Sequence, residues 1–318
     1  MNLSLDKPSY PCEPISTTKA LGKALGFEEA VLQSIASNAN DLYRPVKQKP
    51  GSTREVFDAK GLLKEIHQRI KLRILTRVYF PKYLQGSVKG RDYFTNAKLH
   101  ANKQIIICED VKKFFPSVRA EKIYEVWRGV FKFSESVSDL LTKITTKNGA
   151  LPQGAITSSY LANLVLWKSE PFLQAKFSAE GITYSRYVDD MAMSSTSHLS
   201  KAQQSSVIAR VYGMLKEQGL SAGRGKHEIF TATSPMIVTK LVVNRKPSLP
   251  SKKRMEVRAE VFQLEQFSAN GGPTVDVLKR TDKAAQCVGR LGRFHRTEGN
   301  ALRARVRAVR DLINSINP

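Results

Sequence analysis

The chain has 318 residues, long enough for a buried core and for two or three subdomains around one cleft. Lys and Arg outnumber Asp and Glu by 51 to 28, and a formal charge of +23 points to a polyanionic partner, nucleic acid before an anionic membrane surface. No stretch approaches the roughly 20 apolar residues of a spanning helix, no leader-like apolar segment interrupts Asp6, Glu13, Glu28 and Glu29, and Cys12, Cys108 and Cys287 have no paired spacing, so a cytoplasmic protein without membrane span, disulfide framework or cysteine zinc site is expected.

Residues 1 to about 40 read as helical, with Leu21, Ala24 and Leu25, then Val31, Leu32 and Ile35, at helical spacing. Pro45, Pro50 and Gly51 break the basic stretch from Tyr43 to Arg54 into a loop or strand-turn-strand. A helix follows from Leu62 to about Val78, with Leu63, Ile66, Ile70, Leu72 and Leu75 available for an apolar side. Gln104 to Val111, with the run Ile105-Ile106-Ile107, reads as a central strand buried on both faces. Ser117 is placed to cap a helix whose buried positions are Ile123, Val126, Trp127 and Val130. Pro152 and Gly154 punctuate a turn before a helix with Tyr160, Leu161, Leu164 and Val165 on its buried side. Gly181 opens a hairpin, about 183–188 and 191–194, with Asp189 and Asp190 at its turn. A helix near 205–217, short strands around Ile229 and over 235–244, and a basic helical tail complete the order.

Asp110 ends the apolar strand, and neighbouring strands of one sheet would bring it to Asp189 and Asp190. Carboxylates at the mouth of a buried strand are costly unless they are paired, hydrogen-bonded or bound to a cation. Magnesium is the natural choice, and two such ions about 3.5–4 Å apart suit in-line phosphoryl transfer to a 3′-hydroxyl. An Asp-Asp pair alone is ordinary turn chemistry. Its weight comes from the order Asp110-Val111-Lys112-Lys113-Phe114-Phe115-Pro116-Ser117, then Leu151-Pro152-Gln153-Gly154, then Tyr187-Val188-Asp189-Asp190.

These blocks resemble the palm motifs of reverse transcriptases, and in detail the bacterial retron branch. Asn96-Ala97-Lys98-Leu99-His100 is similar to the retron Asn-Ala-x-x-His element, and Val238-Thr239-Lys240 to its Val-Thr-Gly element. The resemblance runs from about Tyr43 to Asn244. It implies an α+β, right-hand polymerase fold: an N-terminal helical element over 1–40, fingers over 41–100, a palm over 101–234 with interspersed fingers segments, and the palm end with a basic thumb over 235–318. Asp110, Asp189 and Asp190 would be the catalytic acids holding two Mg2+ ions, with the Val111 carbonyl completing one shell. Phe115 matches the ring that excludes ribonucleotides, or is plain core. Gln153 and Gly154 match the turn lining the incoming nucleotide, Arg54 the triphosphate-binding position with Lys49 assisting, and Lys226 the lysine that protonates pyrophosphate; each of these cations also reads as a surface charge. Asn96, His100, Thr239 and Lys240 would meet nucleic acid.

Three positions depart from the pattern: Glu109 beside Asp110, expected to point to the opposite face of the strand, Val188 where alanine is usual, and Lys240 for glycine. Residues 279–318 carry Lys279, Arg280, Lys283, Arg290, Arg293, Arg296, Arg303, Arg305, Arg307 and Arg310 against Asp282, Glu298 and Asp311. This reads as a thumb face gripping phosphates through residues such as Arg290, Arg293, Arg303 and Arg307. The resemblance implies a polymerase that copies a structured non-coding RNA into branched RNA-DNA from deoxynucleoside triphosphates, with a separate effector protein in phage defence. With no maturase or endonuclease module after the thumb, a retron enzyme is expected over a group II intron enzyme. Another defence-associated or diversity-generating reverse transcriptase, and a non-catalytic RNA-binding scaffold, are the alternatives.

Overall fold

The run Ile105-Ile106-Ile107 forms the strand around which the molecule is organised. In the computed structural model, which describes residues 5–48, 50–51, 54–223, 225 and 227–316, this strand, β3 (Ile105–Asp110), is central in an antiparallel sheet. Its neighbours are β5 (Asp190–Ser195) and β6 (Glu228–Thr231), and β4 (Ile182–Tyr187) pairs with the outer side of β5. Because side chains alternate across a strand, Ile107, Met191, Met193 and Tyr184 enter the main core, while Ile106 and Ala192 pack on the opposite face against Ala97, Val238 and Leu241. The expectation of a central strand buried on both faces holds.

Upstream, α1 (Thr18–Leu25) starts on a Thr17 side-chain cap and stops at Gly26, whose φ of 77° is left-handed. Then come α2 (Glu29–Ser37), β1 (Tyr43–Pro45), β2 (Phe57–Ala59), α3 (Gly61–Arg73) and α4 (Tyr93–Leu99). The strands β1 and β2 pair antiparallel, so the basic stretch opens on one arm of a hairpin, Tyr43–Pro45. Leu72 departs from its expected place: Leu63, Ile66 and Ile70 are fully buried, but Leu72 lies half a turn round α3 and is 63% exposed.

Between β3 and β4 the chain forms α5 (Phe114–Ser117), α6 (Ala120–Gly129), α7 (Glu135–Thr145), α8 (Ser158–Leu164) and α9 (Glu170–Ala179). Ser117 does not cap α6. It ends α5 and donates to the Lys112 carbonyl at 3.2 Å, and the chain stays extended through Val118 and Arg119 before α6 begins. Ile123, Val126, Trp127, Leu161 and Leu164 are buried as their spacing requires. The Ser200–Gln203 capping box opens α10 (Lys201–Glu217). The hairpin β7 (Ile237–Val238) and β8 (Leu241–Val242) leads into α11 (Ser251–Ala269), α12 (Thr274–Phe294) and α13 (Arg296–Ile316).

One continuous core runs from Leu21 to Leu220, so the N-terminal helices, the β1–β2 region and the sheet are packed as a unit. The three C-terminal helices have their own core, including Val261, Leu264, Val288, Leu291, Leu302 and Val306. The basic tail is largely cross-braced: Arg305 forks Glu265 at 2.6 Å, Lys283 reaches Glu260 at 2.8 Å, and Arg254 and Arg258 share Glu298. Among the described residues no helix is long and apolar enough to cross a membrane.

Candidate active site

The register of the sheet sets the site. Asp110, the last residue of β3, is the cross-strand partner of Asp190, the first of β5, and the Val111 amide donates to the Asp189 carbonyl at 3.1 Å. One carboxylate oxygen from each of Asp110, Asp189 and Asp190 lies within 4.8 Å of the others. Asp110 is buried, Asp189 half-buried and Asp190 exposed, so the cluster opens from the sheet edge toward solvent. Three hard oxygen donors converging at that edge are compatible with a divalent cation, which would offset their mutual repulsion.

Two close approaches shape the surroundings of these acids. The Gly223 amide donates to the Asp110 carbonyl at 2.6 Å, and a Cβ at Gly223 would stand 2.8 Å from Asp110 Oδ2, so a side chain there would displace that carboxylate or the loop. The Lys112 amide donates to Ser221 at 2.8 Å, laying the 221–223 segment along the end of β3. On the other side, Gly86 abuts the β4–β5 turn, where a Cβ would meet Val188 Cγ2 at 2.5 Å. Val188 has a φ of 61°, strained for a β-branched residue.

Glu109 points away from Asp110, as its strand position requires. It is buried, accepts Tyr212 Oη–H at 3.1 Å, and lies 2.6 Å from His227 Nδ1. This ties β3 to α10 and to the residue preceding β6. On the Asp110 face, burial pushes the Cys108 thiol up to about 12, with the charges of Glu228, Asp190 and Glu109 adding to the effect. Cys108 is therefore a protonated thiol at neutral pH.

Gln153 and Gly154 meet the β1–β2 hairpin. The Phe57 amide donates to the Gln153 carbonyl at 2.8 Å, and Gly154, at φ 102°, leaves no room for a Cβ against Val56 Cγ1 and the Phe57 carbonyl. Arg54 is exposed three residues before Phe57. Phe115 sits half-buried in α5, its ring 5.9 Å from that of Phe114 and packed on the main core. Lys49 and Lys226 lie outside the described residues.

A cleft of about 1020 Å3 runs from Asp110 and Asp190 past Tyr187, Thr239 and Lys240 to Lys253 and Arg290. Thr239 and Lys240 form the β7–β8 turn with φ of 46° and 69°. The Thr239 hydroxyl donates to the Tyr93 carbonyl at 2.8 Å, which fixes the turn on α4. The glycine of the related motif is thus a turn residue at positive φ, and Lys240 takes that conformation here at some cost.

Other expected nucleic-acid contacts are placed differently. His100 is fully buried, 2.7 Å from both Ser194 and Ser185 hydroxyls, and the Ser185 hydroxyl donates to Asn96 Oδ1 at 2.7 Å. The His100 side chain therefore braces α4 against β4 and β5, while Asn96 joins that network and also lines the cleft. Arg293 pairs with Asp92 at 2.6 Å and lies over the rings of Tyr93 and Phe94, joining α12 to α4. Arg303 and Arg307 line a separate hollow of about 210 Å3 between α12 and α13. Arg290 alone of these four arginines lines the cleft.

A family model described as reverse transcriptase (RNA-dependent DNA polymerase) matches residues 46–261. The retron Se72 reverse transcriptase of Salmonella heidelberg is 31% identical over 317 residues, covering 96% of this chain and 84% of its own length. The retron Ec48 reverse transcriptase of Escherichia coli is 30% identical over 318 residues, covering 94% and 77%. The retron Ec86 reverse transcriptase, also of Escherichia coli, is 28% identical over 214 residues, covering 66% and 65%.

Proposed function

From the premise that this chain belongs to the retron reverse transcriptase family and is an RNA-directed DNA polymerase, we propose that it copies part of a structured non-coding RNA into single-stranded DNA that stays branched to its RNA. Asp110, Asp189 and Asp190 are the catalytic acids in this reading and hold two Mg2+ ions. The observation that carries it is the convergence of the three carboxylates at the end of paired strands, opening into a cleft of about 1020 Å3. When bound, the ions supply charge neutralisation at the reacting phosphate and acidify the attacking hydroxyl.

The protein residues position the reactants. Gly223 lets residues 221–223 approach Asp110, and Lys226 is assigned the proton donated to the leaving pyrophosphate. Gln153 and Gly154 line the incoming deoxynucleoside triphosphate, Arg54 with Lys49 binds its phosphates, and Phe115 excludes the 2′-hydroxyl. Thr239, Lys240 and Arg290 face the nucleic acid across the cleft. Residues 1–40, 41–100, 101–234 and 235–318 serve as N-terminal element, fingers, palm and palm end with thumb. A separate effector protein and a role in phage defence complete the proposal and rest on family membership.

The test is to express the protein with its native flanking DNA, purify it, and compare its bound nucleic acid with that of Asp189→Asn on denaturing gels. A DNase-sensitive species that shortens with RNase, present in the wild type and absent from the variant, is expected. RNA bound equally by both proteins with no DNA in either, and no extension of an added primer-template with Mg2+, would refute the reading.

A further inference from the structure

A heavily bonded buried charge lies directly beneath the β4–β5 turn. Arg186, next to last in β4, and Glu170, at the start of α9, have side chains 0% and 1% exposed. Arg186 Nε and Nη2 fork the Glu170 carboxylate at 2.6 and 2.7 Å, and Nη2 also donates to the Asn163 carbonyl at 2.9 Å. Tyr184 donates to the same carboxylate at 2.7 Å. The remaining arm, Nη1, donates to the Val188 carbonyl at 2.9 Å. A buried ion pair is a poor source of stability, since its desolvation offsets its attraction. This one also reaches the active-site turn.

The Val188 carbonyl and the Asp189 amide belong to one rigid peptide plane. A bond that fixes the carbonyl therefore fixes the direction in which Asp189 leaves the turn. Val188 holds a left-handed φ of 61°, which a β-branched residue leaves unless something restrains it. Gly86 restrains it from one side: a Cβ there would stand 2.8 Å from the Val188 nitrogen. Asn163 Nδ2 donates to the Gly86 carbonyl at 2.6 Å, so the residue that braces Arg186 also holds Gly86 in place.

We propose that Arg186 is a positioning residue for polymerisation. Through the Val188 carbonyl it keeps the turn in the strained conformation that brings the Asp189 carboxylate to those of Asp110 and Asp190, and Glu170 with Asn163 holds Arg186 to that task. The assignment rests on the reading of Asp189 as a cation ligand.

Arg186→Lys keeps a positive charge for Glu170, but one ammonium cannot span Glu170, Asn163 and Val188 together. Primer extension by the full-length variant is measured across a range of Mg2+ concentrations, beside template-primer affinity. The Mg2+ concentration for half-maximal rate is expected to rise about tenfold, the scale of left-handed strain released at one residue, with template-primer affinity unchanged. Val188→Gly, which adopts the turn without restraint, is expected to bring the requirement of Arg186→Lys back down severalfold. If Arg186→Lys fails to fold, Tyr184→Phe, which removes one hydroxyl from Glu170, is expected to raise the requirement two- to threefold. A folded Arg186→Lys with the wild-type Mg2+ profile overturns the proposal, as does a failure of Val188→Gly to lower its requirement, or an unchanged Tyr184→Phe profile. Loss of synthesis in Asp189→Asn at every Mg2+ concentration would leave the acid assignment standing even if the Arg186 assignment falls. Residual Asp189→Asn synthesis would remove the assignment beneath it.

Discussion

Acidification from pH 7 to pH 5 is expected to remove about 4 kcal/mol of stability from the fold, through two histidines outside the acid cluster. His67 and His100 are fully buried, and burial pulls their imidazoles down to about 4 and about 3. In the unfolded chain both titrate near 6.5. Below that pH the unfolded chain binds a proton at each histidine that the native chain does not, so stability is fully present above 6.5 and falls with pH until the native groups titrate. At pH 5 the loss is about 1.36 kcal/mol per pH unit over roughly 1.5 units, or about 2 kcal/mol for each histidine. Carboxylates add little in this window: Asp58, hydrogen-bonded by Lys64, and Glu180, forked by Arg210, lie below the ordinary carboxylate range. Urea unfolding followed by the fluorescence of Trp127 and Trp167, both packed in the main core, measures the loss. His100→Gln should be less stable at pH 7 and should lose only about half as much on acidification. The same pH loss in His100→Gln as in the wild type would refute the reasoning.

Gly223→Ala places a Cβ 2.8 Å from Asp110 Oδ2 and is expected to slow primer extension at least tenfold with a nearly unchanged melting midpoint; an unchanged rate would show that the loop can retreat. Lys240→Gly relieves a positive φ of 69° in the β7–β8 turn and is expected to add about 0.5–1 kcal/mol, read as a higher thermal midpoint, whereas a lower midpoint would mean that the lysine is not strained. Phe115→Val is expected to raise ribonucleotide incorporation relative to deoxyribonucleotide incorporation, and equal ratios would assign the ring to core packing alone.

The acids were legible because local signals place them: the apolar run Ile105-Ile106-Ile107 in a strand ending at Asp110, and a Gly181-led hairpin with Asp189 and Asp190 at its turn. The α+β order and the Gln153-Gly154 turn were legible for the same reason. What escaped depends on partners far apart in the chain. Arg186 alternates correctly toward the core in β4, but its partner Glu170 starts a helix that sequence reading did not identify. Asn96 and His100 were visible as a motif, yet their burial is set by Ser185 and Ser194 on two strands nearly a hundred residues later. Glu109 stands out in the sequence and strand alternation gives its face, but its partners Tyr212 and His227 lie more than a hundred residues downstream. The tail's cations were plain, whereas their neutralisation by Glu260 and Glu265 on α11 follows from helix packing.

These buried polar groups share one consequence for the register of the catalytic hairpin. Side chains on a strand alternate, so sliding β4 by one residue against β5 would turn Arg186 to the cleft face, away from Glu170, and turn Ser185 away from His100. The slip would also turn Ile182 and Tyr184 out of the main core. It would leave a buried guanidinium and carboxylate apart, at about 3–5 kcal/mol for the broken pair, together with a buried imidazole and Asn96 without their serine partners. The same slip would rebuild the β4–β5 turn that carries Val188 and Asp189, which stands on the Tyr187–Asp190 pairing. The core face therefore helps to specify the cleft face: the buried Arg186–Glu170 pair adds to the register of the hairpin whose turn carries Asp189 and Asp190.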